Sequence, residues 1–285
     1  MRIGVHVSAA GHIYEAVNRA RALGVTTMQL FSRDPRQWRK ARLSLEDIEE
    51  FKRRRAESNI APVFMHVPYL INLASPFAVL YRDSVKAYIE DIKEAEALGV
   101  EYIVTHMGSH KKSGEDLGIK RITSALNMIL KRTKKSPVKL LLENTSGSGS
   151  WLGYCFEHSR RIIDGLEQKQ RVGICLDTCH AYAAGYDLAS EDGYKETMRQ
   201  LDTIVGFERL KLIHLNDTKD ILSSHRDRHE HIGKGKIGLA GFRRLLHDRR
   251  LKDVAFILET PKDSESADKQ NLAVVKKLIG TTSAL

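Results

Sequence analysis

Histidine and carboxylate side chains recur in this sequence at the ends of short apolar runs. His66, His106, Glu143, Asp177, His214 and Glu259 lie at or beside the last positions of runs 63–66, 102–106, 139–143, 173–177, 210–215 and 255–259. Three more candidates sit in polar stretches: His180, three residues after Asp177, and Asp227 with His229 in Asp-Arg-His-Glu-His. In extended backbone, residues two apart project to the same side, so Asp227 and His229 can aim at one point while Arg228 and Glu230 face away. Taken singly, each has an ordinary reading: a capping carboxylate, a hydrogen-bonded histidine, a solvated polar loop. Six at the ends of successive runs are harder to explain as structure. Carboxylates and imidazoles packed at one place repel or stay unsatisfied unless cations hold them.

The nine candidates, five histidines and four carboxylates, are nitrogen and oxygen donors without thiolate. That set suits Zn, and equally Mn or Fe. Nine donors are too many for one ion of about four or five ligands; they suit three ions if one carboxylate bridges and water fills the rest. Three divalent ions bring about +6, while four carboxylates and a bridging hydroxide remove about 5, leaving a site of about +1. Such a pocket suits an anionic substrate such as a phosphodiester. Two close ions would activate the attacking water and a third would stabilise the leaving oxygen.

Positioning nine residues this way requires a fold that brings successive strand ends together. Besides the six runs above, residues 3–7 and 28–31 read as strands, making eight. Helical patterns lie between them, near 13–23, 45–55, 77–98, 118–133, 156–168, 192–205, 239–248 and 267–279. Gly24 and Gly99 follow two of these, as favoured just past a helix end, and Ser44-Leu45-Glu46-Asp47 resembles a capping box. Ala-Leu-Gly-Val occurs at 22–25 and again at 97–100, each time between a helix and a strand. Eight βα units without a linker predict a single α/β domain over 1–285, a (β/α)8 TIM barrel whose strand C-terminal ends line the active site. A doubly wound sheet usually carries a Gly-rich fingerprint after its first strand; here Ser8-Ala9-Ala10-Gly11 follows.

Composition sets the remaining bounds. A hydrophobic fraction of 42% over 285 residues supports a sizeable core. No run approaches the ~18 apolar residues of a membrane span, and the N-terminus reads as a strand rather than a signal peptide, so a cytoplasmic location is expected. Cys155, Cys175 and Cys179 form no C-x-x-C pair and are expected to be unbridged thiols. Lys52-Arg53-Arg54-Arg55 is expected on a solvated helix face, and Gly147-Ser148-Gly149-Ser150 in a turn after the fifth strand. The net charge of +10 favours a polyanionic partner. Residues 32–40, Ser-Arg-Asp-Pro-Arg-Gln-Trp-Arg-Lys, hold four cationic side chains and a tryptophan, and Pro68-Tyr69-Leu70 follows the third strand. Basic residues interleaved with aromatics suit phosphate contacts plus stacking.

These motifs together resemble the endonuclease IV family of apurinic/apyrimidinic (AP) endonucleases. The resemblance rests on His66-x-x-Tyr69-Leu70-Ile71-Asn72-Leu73, His106-x-Gly108-Ser109-His110, Glu143-Asn144-Thr145 and Leu176-Asp177-Thr178-Cys179-His180-Ala181 with Gly185-Tyr186-Asp187. It continues through His214-Leu215-Asn216-Asp217, Asp227-Arg228-His229 with Ile232-Gly233-x-Gly235, and Leu258-Glu259-Thr260. Met107 departs from the proline many members carry there. The resemblance implies a TIM barrel with three zinc ions. One is held by His66, His106 and Glu143, a second by Glu143, Asp177, His214 and Glu259, and a third by His180, Asp227 and His229. Beyond their first role as ligands, Glu143 and Glu259 are expected to orient the attacking hydroxide, and the resemblance implies that Arg36, Tyr69 and Leu70 enter duplex DNA at an abasic site. The implied reaction is hydrolysis 5′ to that site and removal of 3′ blocking groups, by a monomer. A sugar isomerase or epimerase on the same barrel would explain Glu143, Asp177, His214 and Glu259 but leaves His180, Asp227, His229 and the basic loop without a task. A non-catalytic DNA-binding module would use closed structural metals, which are often rich in cysteine.

Overall fold

Side-chain alternation along the strands decides what lies at the centre of this molecule. The computed structural model describes residues 1–34, 37–38 and 43–280. Among them, eight parallel strands close into a barrel: β1 (Arg2–His6), β2 (Thr27–Phe31), β3 (Val63–His66), β4 (Tyr102–His106), β5 (Lys139–Glu143), β6 (Val172–Asp177), β7 (Leu210–His214) and β10 (Ala255–Leu258). Closure comes from β10 pairing with both β7 and β1. Between β7 and β10 the chain forms a small antiparallel hairpin, β8 (Asp217–Thr218) with β9 (His229–Glu230).

The barrel interior is a layer of Phe64, Val104, Leu141, Cys175, Leu212, Ala255 and Ile257. Two residues further along their strands stand His66, His106, Glu143, Asp177 and His214, with Glu259 just past the end of β10. A period of two keeps them on the inner face, so the sequence apolar-x-ligand stacks the polar residues on a hydrophobic floor. A second, larger core lies between the strands and the surrounding helices.

The helices are α1 (Glu15–Ala22), α2 (Leu45–Ala56), α3 (Ala78–Leu98), α4 (Glu115–Arg132), α5 (Phe156–Asp164), α6 (Thr178–Ala184), α7 (Glu191–Ile204), α8 (Gly238–His247) and α9 (Ala267–Gly280). Ser44 caps α2 by accepting from the Asp47 N–H, and Gly99 ends α3 with φ 73°. Most boundaries fall within a few residues of those read from the sequence. The helix expected over 156–168 is shorter: α5 stops at Asp164, and a separate 3-10 turn follows at Lys169–Arg171. The sequence reading did not contain α6. It is seven residues long and all but its last residue are buried, so it lacks the polar stripe by which a surface helix is recognised. No described helix is long and apolar enough to cross a membrane, and the three cysteines are free.

Candidate metal centre

The nine predicted residues meet at one mouth of the barrel. The ligand atoms of His66, His106 and Glu143 lie within 4.8 Å of one another; so do those of Glu143, Asp177, His214 and Glu259, and those of His180, Asp227 and His229. Glu143 belongs to two of these groups. Its Oε2 is 2.9 Å from His66 Nε2 and 3.1 Å from His106 Nε2, while its Oε1 is 3.0 Å from His214 Nδ1. A further group is Asp177, Cys179 and His229; burial and then the Asp177 charge push the Cys179 thiol pKa up.

Local structure aims each group. Asp177 ends β6 and caps α6, accepting from the His180 N–H at 2.9 Å, which places His180 beside it. Asn144 ties the ends of β5 and β6 through Asp177: its Oδ1 accepts from the Asp177 N–H at 2.6 Å and its Nδ2 donates to the Asp177 carbonyl at 3.1 Å. Asn216 donates to Asp177 Oδ2 at 2.7 Å and accepts from the Glu259 N–H at 2.8 Å. Asn72 joins the β3 and β4 loops by two hydrogen bonds to the Ser109 backbone. Beside it Gly108 has φ 88°, and a Cβ there would sit 2.5 Å from Asn72 Oδ1. Asp217 organises the hairpin loop by accepting from the N–H groups of Gly233, Gly235 and Ile237 at 2.9–3.0 Å.

The charges are strongly coupled. For His229, burial opposes the charged ring, but Asp177 and Asp227 outweigh it and its pKa is pushed up to about 9. Burial likewise opposes His180, which Asp177, Asp227 and Glu143 hold well above the ordinary imidazole value. For Glu143, burial works against ionisation, yet His106 and His214 hold it well below the carboxylate range. The same balance, with His180 and His229 as partners, depresses Asp227. The carboxylates therefore draw protons onto their histidines, the response of a site with negative charge to neutralise. His229 Nε2 is buried without a hydrogen-bond partner although Asp227 Oδ1 lies 3.3 Å away and Asp177 Oδ2 3.7 Å away. A buried ring nitrogen left without a partner between two carboxylates fits a divalent cation.

A family model described as a xylose isomerase-like TIM barrel matches residues 17–278. The chain is 43% identical over 278 residues to the probable endonuclease 4 of Methanoculleus marisnigri, covering 98% of this chain and 99% of that one. The chain belongs to the endonuclease IV family. The crystal structure of endonuclease IV from Thermus thermophilus agrees, with a TM-score of 0.88 at 39% identity over 98% of this chain and 99% of that chain. A D-tagatose 3-epimerase-like protein reaches a TM-score of 0.74 over 98% of both chains at 19% identity, a likeness of fold alone.

Aromatic side chains flank the cluster. Tyr69 is 58% exposed at the mouth, with its ring 5.7 Å from Phe31 and 6.0 Å from His106, and Leu70 beside it is half-buried. Trp38 is exposed. Arg33 corrects the reading of residues 32–40 as four phosphate-binding cations. It is buried, pairs with Asp91, and donates to the Ala87 and Trp38 carbonyls, so it anchors this loop to α3. Arg36, Arg39 and Lys40 lie outside the described residues. Trp151, which sequence reasoning did not single out, stands edge-on to His106 at 5.9 Å. Sequence reasoning also passed over His6 and Gln29. The same two-residue step would have found them, since Gly4 and Thr27 precede them as Phe64 precedes His66. Reading the last residue of each predicted run selected Val7 and Phe31 instead.

Proposed function

We propose that this protein hydrolyses the phosphodiester on the 5′ side of an abasic nucleotide in duplex DNA, leaving a 3′-hydroxyl and a 5′-deoxyribose phosphate, and that the same site removes 3′ blocking groups. Family membership supports the reading. The observation that carries it is the sharing of Glu143 between two donor groups in the barrel mouth, with His180, Asp227 and His229 alongside. Three zinc ions suit these donors, with manganese or iron as substitutes at some sites. His66, His106 and Glu143 would hold one, Glu143, Asp177, His214 and Glu259 a second, and His180, Asp227 and His229 the third. Bound there, such ions supply Lewis acidity and lower the pKa of water.

The chain's own residues do the rest. Glu143 and Glu259 orient the attacking oxygen. Buried His66, Glu143, Asp177 and His214 close the floor, while Asp227, 52% exposed, faces the open side. Tyr69 and Leu70 act as wedges that unstack the duplex, with Arg36 as the third inserted residue, and an abasic nucleotide resists extrusion least because it has no base to unstack. The active form is a monomer.

A duplex carrying one tetrahydrofuran abasic analogue tests this. Incision on the 5′ side is expected, abolished by a strong chelator and restored by zinc, with undamaged duplex left intact. Binding without incision would overturn the proposal in favour of a structural-metal DNA module, and neither binding nor incision would overturn DNA as the substrate.

A further inference from the structure

His66, His180 and His229 each present Nε2 to the cluster and tie Nδ1 to a main-chain carbonyl. Those carbonyls belong to Val67 at 2.6 Å, Asn144 at 3.0 Å and Glu259 at 2.9 Å. His214 is reversed. Its Nδ1 faces Glu143 Oε1 at 3.0 Å and Glu259 Oε2 at 3.3 Å, and its Nε2 lies 2.9 Å from a side-chain oxygen, Gln29 Oε1. The other end of that amide donates to Glu259 Oε1 at 2.6 Å and lies 3.0 Å from His6 Nδ1, which is itself 3.2 Å from the same carboxylate oxygen. Gln29 is fully buried.

One amide thus touches two of the candidate ligands in opposite senses. Its oxygen accepts from a His214 protonated on Nε2, which leaves the Nδ1 lone pair for an ion. Its nitrogen occupies Glu259 Oε1, which leaves Oε2 facing the cluster. Turned around, the amide would set its oxygen against a carboxylate and its N–H against an N–H. Outer partners of metal-binding histidines fix the tautomer and ring orientation in this way.

We propose that Gln29, backed by His6, is the positioning residue of the Glu143–Asp177–His214–Glu259 group, selecting Nδ1 of His214 and Oε2 of Glu259 as the donor atoms. This rests on the reading of that group as a metal site. The other three histidines named are oriented by backbone that substitution leaves in place; His214 depends on a side chain.

Cobalt(II) titration of metal-free native protein, Gln29→Met and His214→Ala, followed by visible absorption, tests it. Met keeps the length of Gln but neither donates nor accepts as an amide does. Gln29→Met is expected to bind one ion about 10- to 100-fold more weakly, with an altered spectrum for that ion and unchanged affinity for the others; His214→Ala should lose that same ion. Native affinity and spectrum in Gln29→Met would overturn the positioning role. No cobalt bound by the native protein would overturn the metal reading itself. Should Gln29→Met fail to fold, ¹⁵N spectra of native zinc-loaded protein decide: His214 protonated on Nε2 supports the proposal, and protonation on Nδ1 overturns it.

Discussion

His66 has Nε2 against Glu143 and Nδ1 against the Val67 carbonyl. Its removal takes away a donor but leaves Glu143 in contact with His106 and His214. His66→Ala is therefore expected to keep native circular dichroism and lose more than about 100-fold in incision rate, beyond what outer-shell changes cost; undiminished cleavage would contradict the assignment. The histidine shifts also predict a pH dependence for the metal-free protein. His229 moves from an unfolded value of 6.5 to about 9 in the fold. Its ion pairing contributes fully below the unfolded value and is lost as pH rises through the folded one. Melting temperature of the metal-free protein should fall between about pH 6.5 and 9.5. Zinc competes with that proton, so zinc affinity should rise over the same interval. Parallel pH profiles for metal-free and loaded protein would refute this. At this scale the residue types and their places at the ends of predicted strands made six of the eight inner positions readable. His6 was hidden because β1 stops one residue before the predicted end at Val7, and Gln29 because it lies two residues before the end of β2 at Phe31.

The β8–β9 hairpin and the loop after it illustrate what elements add. Asp227 lies in that hairpin loop and His229 on β9, while Asp217 holds the following segment by backbone hydrogen bonds. A Cβ on Gly235 would lie 2.3 Å from the Thr218 carbonyl oxygen and 2.5 Å from Asp217 Oδ1. The Ile232-Gly233-x-Gly235 motif is thus a matter of close packing around one carboxylate. Asp217→Ala leaves the buried Ile237 N–H and the half-buried Gly233 and Gly235 N–H groups unpaired and should cost about 3 kcal/mol, read as a lower denaturant midpoint. Loss of an ion from the His180–Asp227–His229 group should accompany it. An unchanged midpoint would show that water replaces the carboxylate. Such long-range bonds, 16 to 20 residues apart in sequence, have no periodicity to reveal them.

Over the whole molecule, a net charge of +10 predicts salt-sensitive DNA binding. If about 6 phosphates are contacted, affinity for abasic duplex should fall ~10³-fold between about 50 and 200 mM salt. A flat dependence in an electrophoretic or fluorescence titration would remove phosphate contact as a main term.

The amino-acid sequence by itself determined the βα alternation, the placing of six donors at strand ends and the chemistry of the nine donors, because all three depend on residue type and short spacing. Tertiary structure alone decided that Arg33 is an anchor buried against Asp91 rather than a rim cation, and that Gln29 reaches both His214 and Glu259. Those facts arise from barrel closure, which brings Gln29 and Glu259, 230 positions apart, into hydrogen-bond contact.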